Sequence, residues 1–451
     1  MKTPGARTPA LVALALVASQ AVSCATNRGR GEPASGLRGP SVEVPRPARC
    51  DLDVAADGPL APTVAGAPAG AVLCLQPGRH EGPLEIRKAL TVWGPRDAIV
   101  HSNGVGTTID VRDTDHVRLM GFTVDGSGSR YDTEDAAVAI RKCDDVRVES
   151  LVVERATFGI LVEQSNELRI LNNQVLGDAN APLGLRGDGI RMWEVRKSLV
   201  QGNHVQDSRD VVIWYSPGNH VLGNTVERSR YGTHLMYSHG NELSDNTYRS
   251  NVVGIFSMYS RDLKIHRNLF LDSSGAGGMG LGAKEAGALD VRDNVFVHNE
   301  SAVYLDTTPL VETDEDVFAG NAFVLGGAGV TFLGRASGNR FLENGFTSNR
   351  RQVVVEGGGD ALAARWDGNY FDDYQGYDLD GDGRGDVPYQ IQSLSEQLAA
   401  THPSLQLFRG TPALGVVEAL GRLVPLFAPQ LVVEDPSPSM SDPTHERLHA
   451  Y

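Results

Sequence analysis

The sequence predicts an all-β chain built as a right-handed parallel β-helix, a solenoid with coils of about 22 residues and a short C-terminal helical extension. Three observations predict it: an internal repeat, a surplus of glycine, and the lack of long amphipathic stretches.

The repeat carries most weight. GIRMWEVRKSLVQGN (189–203), VVIWYSPGNHVLGN (211–224), GTHLMYSHGNELSDN (232–246) and GIFSMYSRDLKIHRN (254–268) end on Asn203, Asn224, Asn246 and Asn268, at spacings of 21, 22 and 22. Weaker copies end at Asn294 and Asn321, with spacings of 26 and 27 that imply outward insertions, and FGILVEQSNELRILNN (158–173) fits the template upstream. Each repeat is a set of short β-branched runs between Gly-Asn or Asp-Asn turns, so each is one coil. Gly supplies 51 of 451 residues, about 11% against a usual ~7%. Corners with φ > 0, which Gly and Asn adopt cheaply, account for it. The Asn residues are expected to stack as a ladder of side-chain amides bonded coil to coil. A helical solenoid would need amphipathic runs of ten or more residues, and none is present. Residues 50–365 make some 12–14 coils, a rod of roughly 60 Å at ~4.8 Å per coil.

Composition removes whole classes of function. At 41% hydrophobic and 22% charged the chain is not disordered. The excess of 56 Asp and Glu over 41 Lys and Arg argues against a nucleic-acid partner, which needs clustered cations. One apolar run resembles a membrane segment, so a multi-span protein is excluded.

That run is an export signal. Lys2 and Arg7 precede the apolar stretch Ala10–Ala18, small residues and Cys24. Ala21-Val22-Ser23-Cys24 resembles the bacterial lipobox, which makes Cys24 a lipidation site and residues 1–24 a lipoprotein signal peptide; ordinary cleavage nearby is the alternative. The expected location is the periplasm, on a lipid anchor. Loss of Lys2 and Arg7 takes the charge from −15 to −17. Residues 25–49, rich in Gly, Pro and Arg, read as a flexible tether. In an oxidising compartment Cys50 and Cys74, which flank one short segment, are the expected disulfide and a part of the N-terminal cap; Cys143 is left as a buried free thiol.

Aligning the coils on their Asn residues turns the repeat into columns. Ile190, Val211, Thr233 and Ile255 form one, and Met192, Ile213, Leu235 and Ser257 another; both should face the core. Between them the outward columns are Arg191, Val212, His234, Phe256, and Trp193, Trp214, Met236, Met258, continued by Tyr215, Tyr237 and Tyr259. Large apolar residues on an outward column need a cover. His234 and Met236 lie two apart on one strand, Met258 lies one coil on, and His239 follows at the corner. Thioether plus imidazole suits Cu(I) and not Ca²⁺ or Mg²⁺. The alternative is a Trp/Met ladder packed under a loop or against a partner.

The 366–409 segment should cap the C-terminal end. Within it Asp378, Asp380, Asp382, Gly383 and Asp386 follow an EF-hand-like Ca²⁺ loop, with Tyr389 where the bidentate Glu belongs. A metal-free tight turn is the alternative. Thr411-Pro412 starts a helix, and ALGVVEALGRLVPLF (413–427) is apolar over most of its circumference and must be covered. The remaining tail, 435–451, reads as largely unstructured.

Several blocks carry a resemblance. LCLQPGRHEGPLEIRKALTVWG (73–94), VRLMGFTVDGSG (117–128), GDGI (187–190), YGTHLMYSHGN (231–241), GNYFDDYQGYDLDGDGRGDVPY (368–389) and the 411–440 segment are similar to the NosD family, periplasmic β-helix accessory proteins of nitrous oxide reductase maturation. The resemblance implies a non-enzymatic role. It implies work beside an ABC transporter, a permease and ATPase pair, with copper received from a lipoprotein copper chaperone and passed towards the reductase's copper–sulfide centre. His234, Met236 and Met258 fall in the family's His-x-Met-Tyr and Met-Tyr blocks, and the 411–428 helix would dock on the permease. The competing readings are a β-helix polysaccharide lyase, hydrolase or epimerase using Asp188, Asp210 and Glu194, with Trp193 and Trp214 stacking on sugar, and a carbohydrate-binding or adhesive surface protein.

Overall fold

The computed structural model describes residues 42–58, 60–356, 360–393 and 430–448, with Thr411 and Val416 as isolated residues. The expected signal segment with Cys24, most of the expected tether, and all of the helix expected over 413–427 except Val416 lie outside the described residues.

The chain winds into a parallel β-solenoid of three sheets, with 14, 12 and 13 strands among the described residues. Each strand pairs with its counterpart one coil away, in parallel, from the Leu52–Val54 pair with Val72–Leu75 to Arg340–Leu342 with Arg365–Asp367. At the start, the helix Leu60–Gly66 sends Leu60 and Val64 into the core, and Cys50 is bonded to Cys74. Residues next to the cap are also held: the Trp93 indole donates to the Val44 carbonyl at 3.0 Å. Cys143 is a buried free thiol.

The Asn ladder runs through nine coils: Asn173, Asn203, Asn224, Asn246, Asn268, Asn294, Asn321, Asn344 and Asn369. Every Nδ2 donates to the Oδ1 of the next at 2.9–3.0 Å. Each Oδ1 also accepts a backbone N–H from the coil before, that of Leu151 at Asn173 and that of the preceding Asn at every later rung, as Asn246 does from Asn224 at 2.9 Å. The rungs do not themselves take the left-handed corner. That falls to the residue before each rung: glycine at Gly202 (φ 66°), Gly223 (φ 61°), Gly320 (φ 62°) and Gly368 (φ 72°), and Asn172, Asp245, Arg267, Asp293 and Glu343 at the others. The corner is therefore a one-residue αL step, and the Asn beside it turns inward to satisfy buried backbone.

Much of the remaining glycine answers to packing. Tyr248, Phe270, Phe296, Phe323, Phe346, Phe371 and Tyr389 stack through the core with centroids 3.8–5.3 Å apart. A Cβ on Gly254 would lie 2.5 Å from Phe270 Cδ1 and 2.5 Å from the Gly280 carbonyl oxygen. Where Ala302 occupies this column, the neighbouring Phe296–Phe323 pair opens to 30°, against 4° for Phe270–Phe296. Gly254→Ala is accordingly expected to cost about 1–3 kcal/mol by overpacking, measured as a shift of the denaturation midpoint at constant slope.

The C-terminal tail departs from its expected disorder. Gln430–Asp435 pairs antiparallel with Tyr389–Ser393. Residues beyond it stay attached: Ser439 N–H donates to the Asn369 carbonyl, and Arg447 pairs with Asp293 at 2.6 Å. Asp435 is fully buried and supplies the tenth rung of the ladder, accepting Asn369 Nδ2 at 2.8 Å and its N–H at 3.0 Å. Polar Ser, Pro and Asp residues hide this segment from any reading by hydrophobic pattern, because backbone and side-chain hydrogen bonds hold it.

Candidate copper site

Strand register brings the outward columns together. Trp193 pairs with Trp214, Trp214 with Met236 and Met236 with Met258; Arg191 pairs with Val212, Val212 with His234 and His234 with Phe256. Parallel neighbours lie ~4.8 Å apart, so the Met236 and Met258 thioethers stand side by side on one face. The column ends at Lys284, which pairs with Met258 and is tied to Asp306. Between Asp210–Trp214 and Tyr231–Met236 the register shifts, with Asp210 opposite Tyr231 but Val212 opposite His234. This bulge is the physical form of the step from a 21- to a 22-residue spacing, and bulges re-aim the side chains beside them.

His234 differs from its expected exposure. It points away from the core, yet is only 6% exposed. The rings of Tyr231, Trp214 and Phe256 enclose it at centroid distances of 4.9, 5.3 and 6.1 Å. Among the described residues neither of its ring nitrogens has a hydrogen-bond partner, an unusual state for a buried imidazole. Two more buried donors without partners among the described residues lie in the same columns, Trp214 Nε1 and Arg191 Nε. The Arg191 guanidinium sits 5.6 Å from the Trp214 ring and pairs with Glu134.

Asp210, whose side chain is fully buried, lies behind the imidazole, its Oδ2 3.9 Å from His234 Nδ1. Arg230 clamps this carboxylate through Nε at 2.9 Å and through Nη2, and Tyr231 N–H donates to it at 3.2 Å. Burial pushes Asp210 upward, but His234 and Arg230 outweigh it and hold the carboxyl below its ordinary range. Asp188 lies one coil away, bound by both forks of Arg209 at 2.9 Å. Burial raises Asp188 to about 6, opposed by Arg209 and reinforced by Asp210. As a carboxylate pair for polysaccharide chemistry these two are badly placed: both are buried and taken up by arginines, whereas a general acid must reach its substrate. Glu194 is exposed and holds Gln164 at 3.0 Å.

The tyrosines form a second stack, Tyr215–Tyr237 at 5.3 Å and 13° and Tyr237–Tyr259 at 4.9 Å and 11°. All three have φ of 51°, a costly conformation for a bulky side chain. Their ring faces are turned on one another, so they present edges and not a platform on which a sugar would lie. His239 is exposed, and its Nδ1 accepts the Arg261 N–H at 3.1 Å; Tyr237 and Ser238 separate it from Met236 around the corner. The sequence reading missed Asp210 and Arg230 as companions of His234, although Arg209-Asp210 and Arg230-Tyr231 recur at the same place in successive coils. It also missed Met279, whose sulfur lies beside the Phe256 ring over Gly282. Met279 follows a short insertion and so breaks the column count.

In the Asp-rich loop Asp378, Asp380 and Asp382 offer oxygens within 4.8 Å of one another. Backbone N–H groups, first that of Gly383, hold Asp378 below its usual range. Asp386 is not one of the group, its Oδ2 accepting the Leu379 N–H. Tyr389 stacks on Phe371 and donates to Asp373 at 2.9 Å, so it is a core residue. No described helix is long and apolar enough to cross a membrane.

Comparison with known proteins agrees with the resemblance. A family model described as a periplasmic copper-binding protein (NosD) matches residues 177–376, the coils that carry these columns. Two relatives, each described as a probable ABC transporter binding protein NosD, come from Stutzerimonas stutzeri and Pseudomonas aeruginosa. The first is 27% identical over 392 residues, covering 83% of this chain and 88% of its own. The second is 28% identical over 393 residues, with coverage of 82% and 89%. Among solved structures, the catalytic unit of an α-1,3-glucanase from Streptomyces thermodiastaticus superimposes with a TM-score of 0.55 at 16% identity, covering 74% of this chain and 72% of its own. The Streptococcus pneumoniae adhesin PfbA gives 0.50 at 11%, with 65% and 93% covered. At such identities these two show a shared solenoid and nothing of function. Repeat, columns, C-terminal blocks and relatives agree: the chain is similar to the NosD family, through the family model over residues 177–376 and through both relatives over more than four fifths of its length.

Proposed function

We propose that this chain is a non-enzymatic periplasmic accessory protein that holds copper in transit, as Cu(I), and works with an ABC transporter in the maturation of nitrous oxide reductase. One observation carries the reading. His234 is buried with both nitrogens unpartnered among the described residues, two positions from Met236 on one strand, and Met236 stands in register with Met258. Two soft sulfurs and an imidazole form a ligand set for Cu(I) that hard cations do not compete for. The outward aromatic rings around it exclude water, and His239 at the rim offers a further nitrogen on the way in or out. The names of the family and of its relatives, copper-binding and ABC transporter binding, support both halves of the reading.

In the same reading the 411–428 helix docks on the transporter permease, a lipoprotein copper chaperone is the donor, and acyl chains on Cys24 keep the protein at the membrane. The Asp378 loop is a Ca²⁺ site of structural use. His234→Ala, Met236→Leu and Met258→Leu together are expected to weaken Cu(I) binding at least ~100-fold, since each lost ligand or its support typically costs 10–100-fold. Competition against a chromogenic Cu(I) chelator reads this directly. The wider role is tested by producing nitrous oxide reductase and the transporter with and without this protein: copper–sulfide centre content that does not fall on omission would overturn it.

A further inference from the structure

We infer that Asp210 is a positioning residue for His234: it fixes the imidazole in the tautomer with hydrogen on Nδ1, which leaves Nε2 as the basic nitrogen. The use of that nitrogen for copper rests on the function proposed above; the tautomer does not.

Three features support the assignment. First, the carboxylate cannot turn away. Arg230 grips both oxygens, Tyr231 N–H donates to Oδ1, and the side chain has no exposure to solvent. Second, the imidazole has little else to answer to. Its ring is walled by Tyr231, Trp214 and Phe256, and no described group makes a hydrogen bond to either nitrogen. Third, an anion 3.9 Å from Nδ1 discriminates between the tautomers. A lone pair turned on a buried carboxylate is repelled, whereas an N–H dipole is attracted, and low-dielectric surroundings enlarge the difference. The separation is longer than a hydrogen bond, so in the metal-free chain the contact is electrostatic and not closed.

The bulge explains why Asp210 reaches His234 at all. It faces Tyr231 in register, and the extra residue in Tyr231–Met236 brings His234 diagonally next to it. A carboxylate behind a ligating histidine sets its ring orientation and raises its basicity, with effects of 10–100-fold on metal affinity.

The test uses the full chain with ¹⁵N-labelled histidine, whose two ring-nitrogen shifts report protonation and tautomer together, and His234→Gln assigns the signal. The wild type is expected to show hydrogen on Nδ1 and a bare Nε2. Asp210→Asn should mix or invert the tautomers and weaken Cu(I) binding about 10–100-fold. Asp188→Asn, which removes a neighbouring Arg-bound carboxylate without touching His234, should change neither. Hydrogen on Nε2 in the wild type overturns the proposal, and this measurement needs no variant of Asp210 to fold. An Asp210→Asn chain with unaltered tautomer and affinity also overturns it. A wild type with the expected tautomer that takes up no Cu(I) supports the Asp210 assignment and overturns the copper reading instead.

Discussion

Asn246→Ala is expected to destabilise the solenoid by about 3–5 kcal/mol, one of the two largest effects of a single substitution foreseen here. The side chain accepts from Asn224 N–H at 2.9 Å and from Asn224 Nδ2 at 3.0 Å, and it donates to the Val221 carbonyl at 2.8 Å and to Asn268 Oδ1 at 3.0 Å. All of these groups are buried, so truncation strands an N–H, an amide and a carbonyl at once, each costing ~1–3 kcal/mol with some overlap. Asn246→Asp keeps the shape but sets an oxygen against the Val221 carbonyl and Asn268 Oδ1, and should be no better than Ala. Denaturant unfolding, combined with amide hydrogen exchange in the neighbouring coils, measures the loss. A loss below ~1 kcal/mol would show that water replaces the rung.

The second large effect has the opposite sign. Asp316 occupies the column of Asn219, Asn241 and Asn339, whose Nδ2 groups each donate to turn carbonyls, as Asn241 does to Ser238 at 2.9 Å and Ser216 at 3.1 Å. Asp316 Oδ1 accepts the Leu289 N–H at 2.9 Å, but Oδ2, standing where the others carry a donor, is buried without a partner among the described residues. Burial, aided by the nearby Asp314 and opposed by Leu289, raises this carboxyl to about 7. The folded chain therefore keeps a proton that the unfolded chain releases near the ordinary value of 3.8. Stability from this group is fully present below pH ~4, falls by ~1.4 kcal/mol per unit between the two values, and levels off above pH ~7. Asp316→Asn should remove that slope and stabilise the protein by about 2–4 kcal/mol at pH 8, with little change at pH 4. Unfolding midpoints at the two pH values decide it, and an equal shift at both would contradict the assignment.

What the sequence disclosed followed from counting. The spacing of Asn203, Asn224, Asn246 and Asn268 set the register, and register alone put His234 beside Phe256 and Met236 beside Met258. Alternation also separated the inward Met192, Ile213 and Leu235 from their outward neighbours. It did not show that His234 is covered, because the rings that wall it come from three different coils and bend over it sideways. Nor did it show Asp210 behind the imidazole, since a bulge displaces that contact from the column. The docked tail escaped for another reason. Asp435 and Thr444 are buried by hydrogen bonding, and no hydrophobic period marks such a segment.

The tenth rung has a consequence for the order in which the protein is made. Parallel coils can stack one upon another as the chain emerges, since each needs its predecessor and nothing further. The ladder nevertheless ends on Asp435, 66 residues beyond Asn369. Until that residue arrives, the newest coil keeps an open edge with unsatisfied buried donors, which is the state most inviting to misassembly. A solenoid that grows from its N-terminal coils would thus have a delayed stop, encoded 66 residues after the last asparagine of the ladder.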